Sequence, residues 1–181
     1  MRPELVKKSR LLSRVLRHDP GAIGVELDAS GWIDVGVLLA ALQEKRRDFS
    51  HDCLLEIVAT NDKRRFVLSE DGARIRAAQG HTLGIDLELA PSSPPAALFH
   101  GTALRKLPAI REQGLRRGKR DHVHLSLDTD TARTVGARYG EPVVLTVDAT
   151  GMEDSGYVFY LSENDVWLTD SVPLEFIEFP D

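Results

Sequence analysis

Apolar residues recur at helical spacing from about Pro3 to Arg17. Leu5, Leu11, Leu12, Val15 and Leu16 fall on one side, and Arg10, Arg14 and Arg17 hold i, i+4, i+7 positions on the other. Asp19-Pro20-Gly21 stops this helix, which leaves His18 at a C-terminus where the backbone dipole favours an imidazolium. Short extended pieces, Val25–Asp28 and Trp32-Ile33, then flank a turn at Ala29-Ser30-Gly31. Asp34 is placed to cap a second helix through Val35, Leu38, Leu39 and Leu42, whose end is enriched by Lys45-Arg46-Arg47. Ser50 is placed to cap a third, with Leu54, Leu55, Ile57 and Val58 inward and Asn61-Asp62-Lys63 at its end. A strand over Arg64–Leu68, a turn at Ser69–Gly72 and a return strand through Ile75 and Ala77 follow. Three helices and a hairpin in this order predict a winged-helix-like lobe over residues 1–90, a shape often used on nucleic acid.

Pro91-Ser92-Ser93-Pro94-Pro95 reads as a linker. Beyond it, Ala97–Thr102 predicts a strand running into a tight polar turn at His100-Gly101-Thr102. Helices follow over about Leu104–Gln113, ended by Gly114, and about Thr129–Arg138, closed by Gly140. Val143–Val147 is a buried strand by its apolar run, and Tyr157–Tyr160, Val166–Leu168 and Phe176-Ile177 are further strands. Residues 96–181 are therefore expected to form an α+β lobe with a split or curled sheet. Between its helices, Arg120-Asp121-His122-Val123-His124-Leu125-Ser126 alternates polar and apolar residues. Two histidines and a serine on one face of a strand suit the floor of a polar pocket, although periodicity alone is equally met by a half-exposed strand.

Composition and charge sharpen this picture. Among 181 residues, 42% are hydrophobic, enough for a proper core. Cys53 is the only cysteine, so no intrachain disulfide forms and no thiolate cluster holds zinc. No apolar run spans a bilayer and the N-terminus has no signal-peptide pattern, which predicts a cytoplasmic protein. The net charge is −5, but it is segregated: every Lys and Arg lies at or before Arg138, and ten carboxylates follow. Such a distribution permits a basic cleft on an acidic body. A Rossmann glycine motif and a Walker loop are both absent, and His122 with His124 lacks a third metal ligand at convincing spacing. What remains is a supply of Arg and His at strand mouths and helix ends. Arginine holds phosphate through a planar fork that never loses its charge, so the residues point to a phosphate-handling domain joined to a nucleic-acid-like one.

Several motifs occur together: Leu16-Arg17-His18-Asp19-Pro20, Asn61-Asp62-Lys63 with Arg65-Phe66, and Ile75-Arg76-Ala77 with Gln79-Gly80-His81. They continue with His100-Gly101-Thr102, Arg120 with His122–Ser126, Val135-Gly136 with Arg138 and Gly140, and Val166–Leu168 with Val172-Pro173. In this order and spacing the chain resembles the RNA 2′-phosphotransferase (tRNA 2′-phosphotransferase) family over nearly its whole length. The resemblance implies a winged-helix lobe and an ADP-ribosyltransferase-like lobe with the active site between them. It implies NAD+ as co-substrate, no metal, an RNA with an internal 2′-phosphate as partner, and a monomer away from membranes.

Carried over position by position, the resemblance assigns catalysis to Arg17, His18, Arg65 and Arg120. It assigns NAD+ contacts to His100, Gly101, Thr102 and Ser126, and substrate contact or support to Asp62, Lys63 and Arg76. His124 ranks below these, as a residue that orients its strand. Protein-modifying ADP-ribosyltransferases carry a glutamate on a later strand; the corresponding stretch here, Val166-Trp167-Leu168, has no carboxylate, which suits an acceptor already anionic. The chain departs from the family's usual Asn at Ala78, Ser at Thr82 and Gly at Asp165. Two other readings stay open: an ADP-ribosyltransferase that caps terminal phosphates of RNA or DNA, and a non-catalytic winged-helix RNA-binding protein.

Overall fold

A computed structural model describes residues 2–45 and 48–180, and divides the chain into two units, Met1–Glu88 and Leu89–Asp181. Arg46 and Arg47, expected at a helix end, lie outside the described residues. The first unit contains α1 (Pro3–Arg17), β1 (Ile33–Asp34), α2 (Val35–Lys45), α3 (His51–Ala59), β2 (Phe66–Leu68) and β3 (Arg74–Ala77). Leu5, Leu12, Val15 and Leu16 of α1 are buried with Leu38, Leu42, Leu54 and Ile57 of the next two helices. The caps sit where their sequence signals stand: Asp34 Oδ1 accepts from the Val37 N–H at 2.9 Å and Ser50 Oγ from the Cys53 N–H at 3.2 Å. Leu55, expected to face inward, is 39% exposed, because the inward stripe of α3 is carried by Leu54 and Ile57. The sheet runs β1-β3-β2, all antiparallel, with Phe66 opposite Ala77 and Ile33 opposite Ile75.

The strand expected from Arg64 begins only at Phe66. Arg64 has φ of 39° and donates its N–H to the Asn61 carbonyl at 2.7 Å, so a left-handed turn separates it from the ladder. Strand alternation therefore does not distinguish Arg64 from Arg65.

The second unit contains β4 (Ala97–Ala103), α4 (Leu107–Gln113), β5 (Leu115–Arg116), β6 (Val123–Leu125), α5 (Thr129–Gly136) and β7 (Pro142–Asp148). It continues through α6 (Ala149–Asp154), β8 (Tyr160–Leu161), β9 (Trp167–Thr169), β10 (Ser171–Val172) and β11 (Ile177–Glu178). Two antiparallel three-stranded sheets, β11-β7-β4 and β6-β9-β8, meet at one bridge, where Phe99 and Ser126 exchange backbone hydrogen bonds of 2.9 and 2.8 Å. A β10-β5 pair lies apart in the pairing scheme. Leu98, Leu145, Val147, Leu125 and Phe159 supply fully or almost fully buried side chains to this unit's core. Several small antiparallel sheets with helices make the fold α+β.

His100-Gly101-Thr102 is not a turn. All three lie inside β4, paired with Leu145, Val144 and Val143 of β7 along a seven-residue ladder. The glycine is needed for packing: a Cβ on Gly101 would overlap the Ala132 carbonyl of α5, and one on Gly136 would lie 2.6 Å from the Thr102 carbonyl oxygen. Backbone thus meets backbone where α5 crosses β4. In the expected linker, Pro91 bridges Tyr160 and the Ser92 N–H donates to the Phe159 carbonyl at 2.9 Å. The strand expected over Tyr157–Tyr160 pairs only from Tyr160, and Phe176 belongs to a 3-10 turn before β11. Among the described residues no helix is long and apolar enough to cross a membrane.

Candidate functional site

In the first unit the α1 C-terminus carries Arg17 and His18. The backbone there is held from three directions. The His18 and Asp19 N–H groups both donate to the Arg14 carbonyl, at 2.9 and 3.0 Å. Arg14 also reaches the Asp19 carboxylate at 2.7 Å. From outside the helix, the Thr82 N–H donates to the Arg17 carbonyl at 3.0 Å, supplying a partner that a helix end otherwise lacks. The Thr82 hydroxyl lies 3.1 Å from His18 Nδ1.

Arg65 sits immediately before β2, where its carbonyl accepts from the Ala78 N–H at 2.9 Å. Its guanidinium donates through Nη1 to Asn61 Oδ1 at 3.3 Å. Asn61 is itself 4% exposed; the same oxygen accepts the Lys63 N–H at 3.2 Å, and its amide donates to Ser9 Oγ at 3.4 Å. Asn61 therefore joins α1, the turn after α3 and Arg65. A helix terminator, the role its sequence position suggests, is only part of what it does; the available signal was an amide placed between a helix and a cationic turn. Asp62 and Lys63 are exposed.

Arg76 is buried. Its guanidinium stacks over Trp32 at 4.6 Å and donates through Nη1 to the Ser30 carbonyl at 3.4 Å and the Leu87 carbonyl at 3.3 Å. This placement ties Arg76 to the turn before β1 and to the segment after β3. His81, 1% exposed, packs in the same region beside the Gly31 turn. Burial, with Arg17, Arg76 and His18 adding positive charge nearby, pushes the His81 imidazole down to about 4. His81 is consequently neutral at pH 7 and adds no charge beside Arg17.

In the second unit, three of the expected residues gather around the junction of β4 and β6. His100 is part-buried and its Nδ1–H donates to the His124 carbonyl at 3.0 Å; a carbonyl can only accept, so the Nδ1 tautomer is fixed. Burial pushes the His100 imidazole below its ordinary value, against the smaller opposing effect of that bond. Arg120 donates through Nη1 to His124 Nδ1 at 3.3 Å. Ser126 is the residue that bridges Phe99, next to His100. His124 thus holds His100 with its backbone and Arg120 with its side chain, which is more than the strand-orienting role expected. Thr102 is 3% exposed and Gly101 is buried against α5, so this pair shapes the floor of β4. His122 lies 3.9 Å from the Asp170 carboxylate and edge-on to Tyr160. Among the described residues no group of three or more His, Cys, Asp or Glu side chains is arranged to hold a metal ion.

In the first unit, then, Arg17, His18 and Arg65 stand at the ends of elements with Thr82 and Asn61 as polar partners, and in the second His124 joins His100 to Arg120. Cations so arranged can bind a phosphate and stabilise charge as it moves onto or off it. Comparison with known proteins gives the same direction. A family model described as "RNA 2'-phosphotransferase, Tpt1 / KptA family" matches residues 3–171. The chain is 52% identical over 178 residues to a probable RNA 2′-phosphotransferase of Rhodopirellula baltica, covering 98% of this chain and 97% of that protein. It is 50% identical over 181 residues to one of Hahella chejuensis, covering 100% of this chain and 97% of that protein. It is 51% identical over 171 residues to one of Pseudomonas fluorescens, covering 94% of each. By the extent of these matches, and with cationic residues placed as described, the chain belongs to the RNA 2′-phosphotransferase family.

Proposed function

We propose that the protein removes an internal 2′-phosphate from RNA with NAD+ as co-substrate. In a first step a 2′-phosphate oxygen attacks the ribose carbon that carries nicotinamide. The carbon–nitrogen bond breaks and its electron pair leaves with nicotinamide. In a second step the adjacent 2″-hydroxyl oxygen attacks phosphorus, the RNA 2′-oxygen leaves and takes up a proton, and ADP-ribose 1″,2″-cyclic phosphate is released. The observation that carries this reading is the family match over residues 3–171, which spans every cationic residue placed above.

Arg17, His18, Arg65 and Arg120 act on the transferred phosphate in this scheme. They neutralise it while it is the nucleophile and again while it is the electrophile, an electrostatic role that fixed guanidinium groups suit. His18 is suited to hold or shuttle the proton. His100, Gly101, Thr102 and Ser126 line the NAD+ side, with His124 supporting His100 and Arg120; Asp62, Lys63 and Arg76 support the RNA side. The three helices followed by the β2–β3 hairpin support a winged-helix reading of the first unit as the RNA lobe. The two small sheets joined at Phe99 and Ser126 support an ADP-ribosyltransferase-like reading of the second as the NAD+ lobe. We place the enzyme in the cytoplasm as a monomer.

The test is stoichiometry. With a 2′-phosphorylated RNA, one nicotinamide should appear for each phosphate lost, and neither without the other. Arg65→Ala and Arg120→Ala should each lower turnover by about 100-fold or more while leaving the folded state intact, the loss typical of removing one electrostatic stabiliser. Nicotinamide release without phosphate loss would favour capping of phosphates instead, and unchanged RNA binding with no turnover in any variant or the parent would favour a binding protein.

A further inference from the structure

Thr82 touches both residues at the end of α1 but has no assigned part in catalysis. Its backbone N–H donates to the Arg17 carbonyl at 3.0 Å, and its hydroxyl lies 3.4 Å from that same oxygen. The hydroxyl is also 3.1 Å from His18 Nδ1. A hydroxyl has one proton to donate and lone pairs to accept with. The Arg17 carbonyl can only accept. If the hydroxyl proton goes to that carbonyl, the oxygen is left as an acceptor toward His18, and His18 must carry its proton on Nδ1. In that arrangement His18 Nδ1–H donates to Thr82 Oγ1, and Thr82 Oγ1–H donates to the Arg17 carbonyl.

We propose that Thr82 is a positioning residue that sets the tautomer and orientation of His18, holding Nδ1 protonated and leaving Nε2 as the nitrogen that exchanges a proton with substrate. This rests on the proposed function for the identity of that substrate, but the tautomer itself does not. The backbone bond of Thr82 fixes where the helix ends; the side chain fixes which face of the imidazole does chemistry. The two contributions separate cleanly, since a substitution of the side chain keeps the N–H. Serine retains the hydroxyl, whereas valine matches threonine in shape and lacks it. Thr82 is exposed, so neither substitution disturbs the core.

The experiment compares the full-length protein with Thr82→Val and Thr82→Ser. Nitrogen-15 chemical shifts of the His18 ring, assigned with His18→Gln, report the tautomer of neutral His18 at a pH where it is deprotonated. The parent and Thr82→Ser should show the Nδ1–H form; Thr82→Val should show a mixture. Turnover of a 2′-phosphorylated RNA should fall about three- to tenfold in kcat for Thr82→Val, with KM little changed and Thr82→Ser restoring it, the factor one net hydrogen bond supplies. An Nε2–H tautomer in the parent, or an unaltered Nδ1–H form in Thr82→Val, would overturn the proposal. If the parent turns over no RNA, the functional reading fails while the ring spectra still decide the role of Thr82.

Discussion

Asn61 and His81 show how much of this protein rests on buried polar side chains. Asn61 is buried, and its side chain is hydrogen-bonded to Ser9, Lys63 and Arg65. Replacing it with alanine removes the acceptor for the Lys63 N–H and for one guanidinium donor. Asn61→Ala should therefore cost about 1–3 kcal/mol in chemical denaturation and lower turnover through loss of Arg65 orientation. His81 makes stability depend on pH. Its folded value of about 4 lies below the ordinary ~6.5, so between these values the unfolded chain binds more protons. Stability is therefore fully present above pH ~6.5 and falls as pH drops toward 4, by up to ~3 kcal/mol for this one group. Denaturation midpoints measured from pH 7 to 4 should show this slope, and His81→Asn should flatten it. The cations at Arg17, Arg65 and Arg120 are legible in the sequence because charge and motif spacing mark them. Asn61, Thr82 and the clamp made by His124 are not, because such a side chain acquires its role from partners 2 to 65 residues away.

At the scale of elements, legibility follows periodicity and capping. Helix α1 and the caps of α2 and α3 are plain in the pattern, because apolar spacing and Asp or Ser at a helix start are local signals. Helix α6 escapes it: Gly151 lies within six residues whose start is marked only by Asp148, which caps the Gly151 N–H at 2.9 Å. The turn expected at His100-Gly101-Thr102 is a strand, because glycine there serves contact with α5 and not chain reversal. Gly101→Ala would accordingly drive a methyl into the Ala132 carbonyl with backbone on both sides, leaving nothing flexible to yield. The variant should lose at least ~3 kcal/mol, the upper range for overpacking, and the fluorescence of Trp167 in the second unit should change at lower denaturant than that of Trp32 in the first. Equal shifts of both tryptophan signals with no loss of stability would show that β4 and α5 can separate at little cost.

For the whole molecule, charge segregation gives the functional logic. Every Lys and Arg lies at or before Arg138, and the remaining stretch is acidic. Cations that could meet a phosphate therefore come from the first unit and the early part of the second. Net charge of −5 by itself argues against RNA as a partner; distribution and family membership argue for it. The most direct measurement follows the phosphorus atom itself. An RNA bearing one radiolabelled internal 2′-phosphate, incubated with the protein and NAD+, should transfer all its label to ADP-ribose 1″,2″-cyclic phosphate and keep its label when NAD+ is withheld. Label that stays on RNA with NAD+ present, or that leaves as inorganic phosphate without it, would contradict the account.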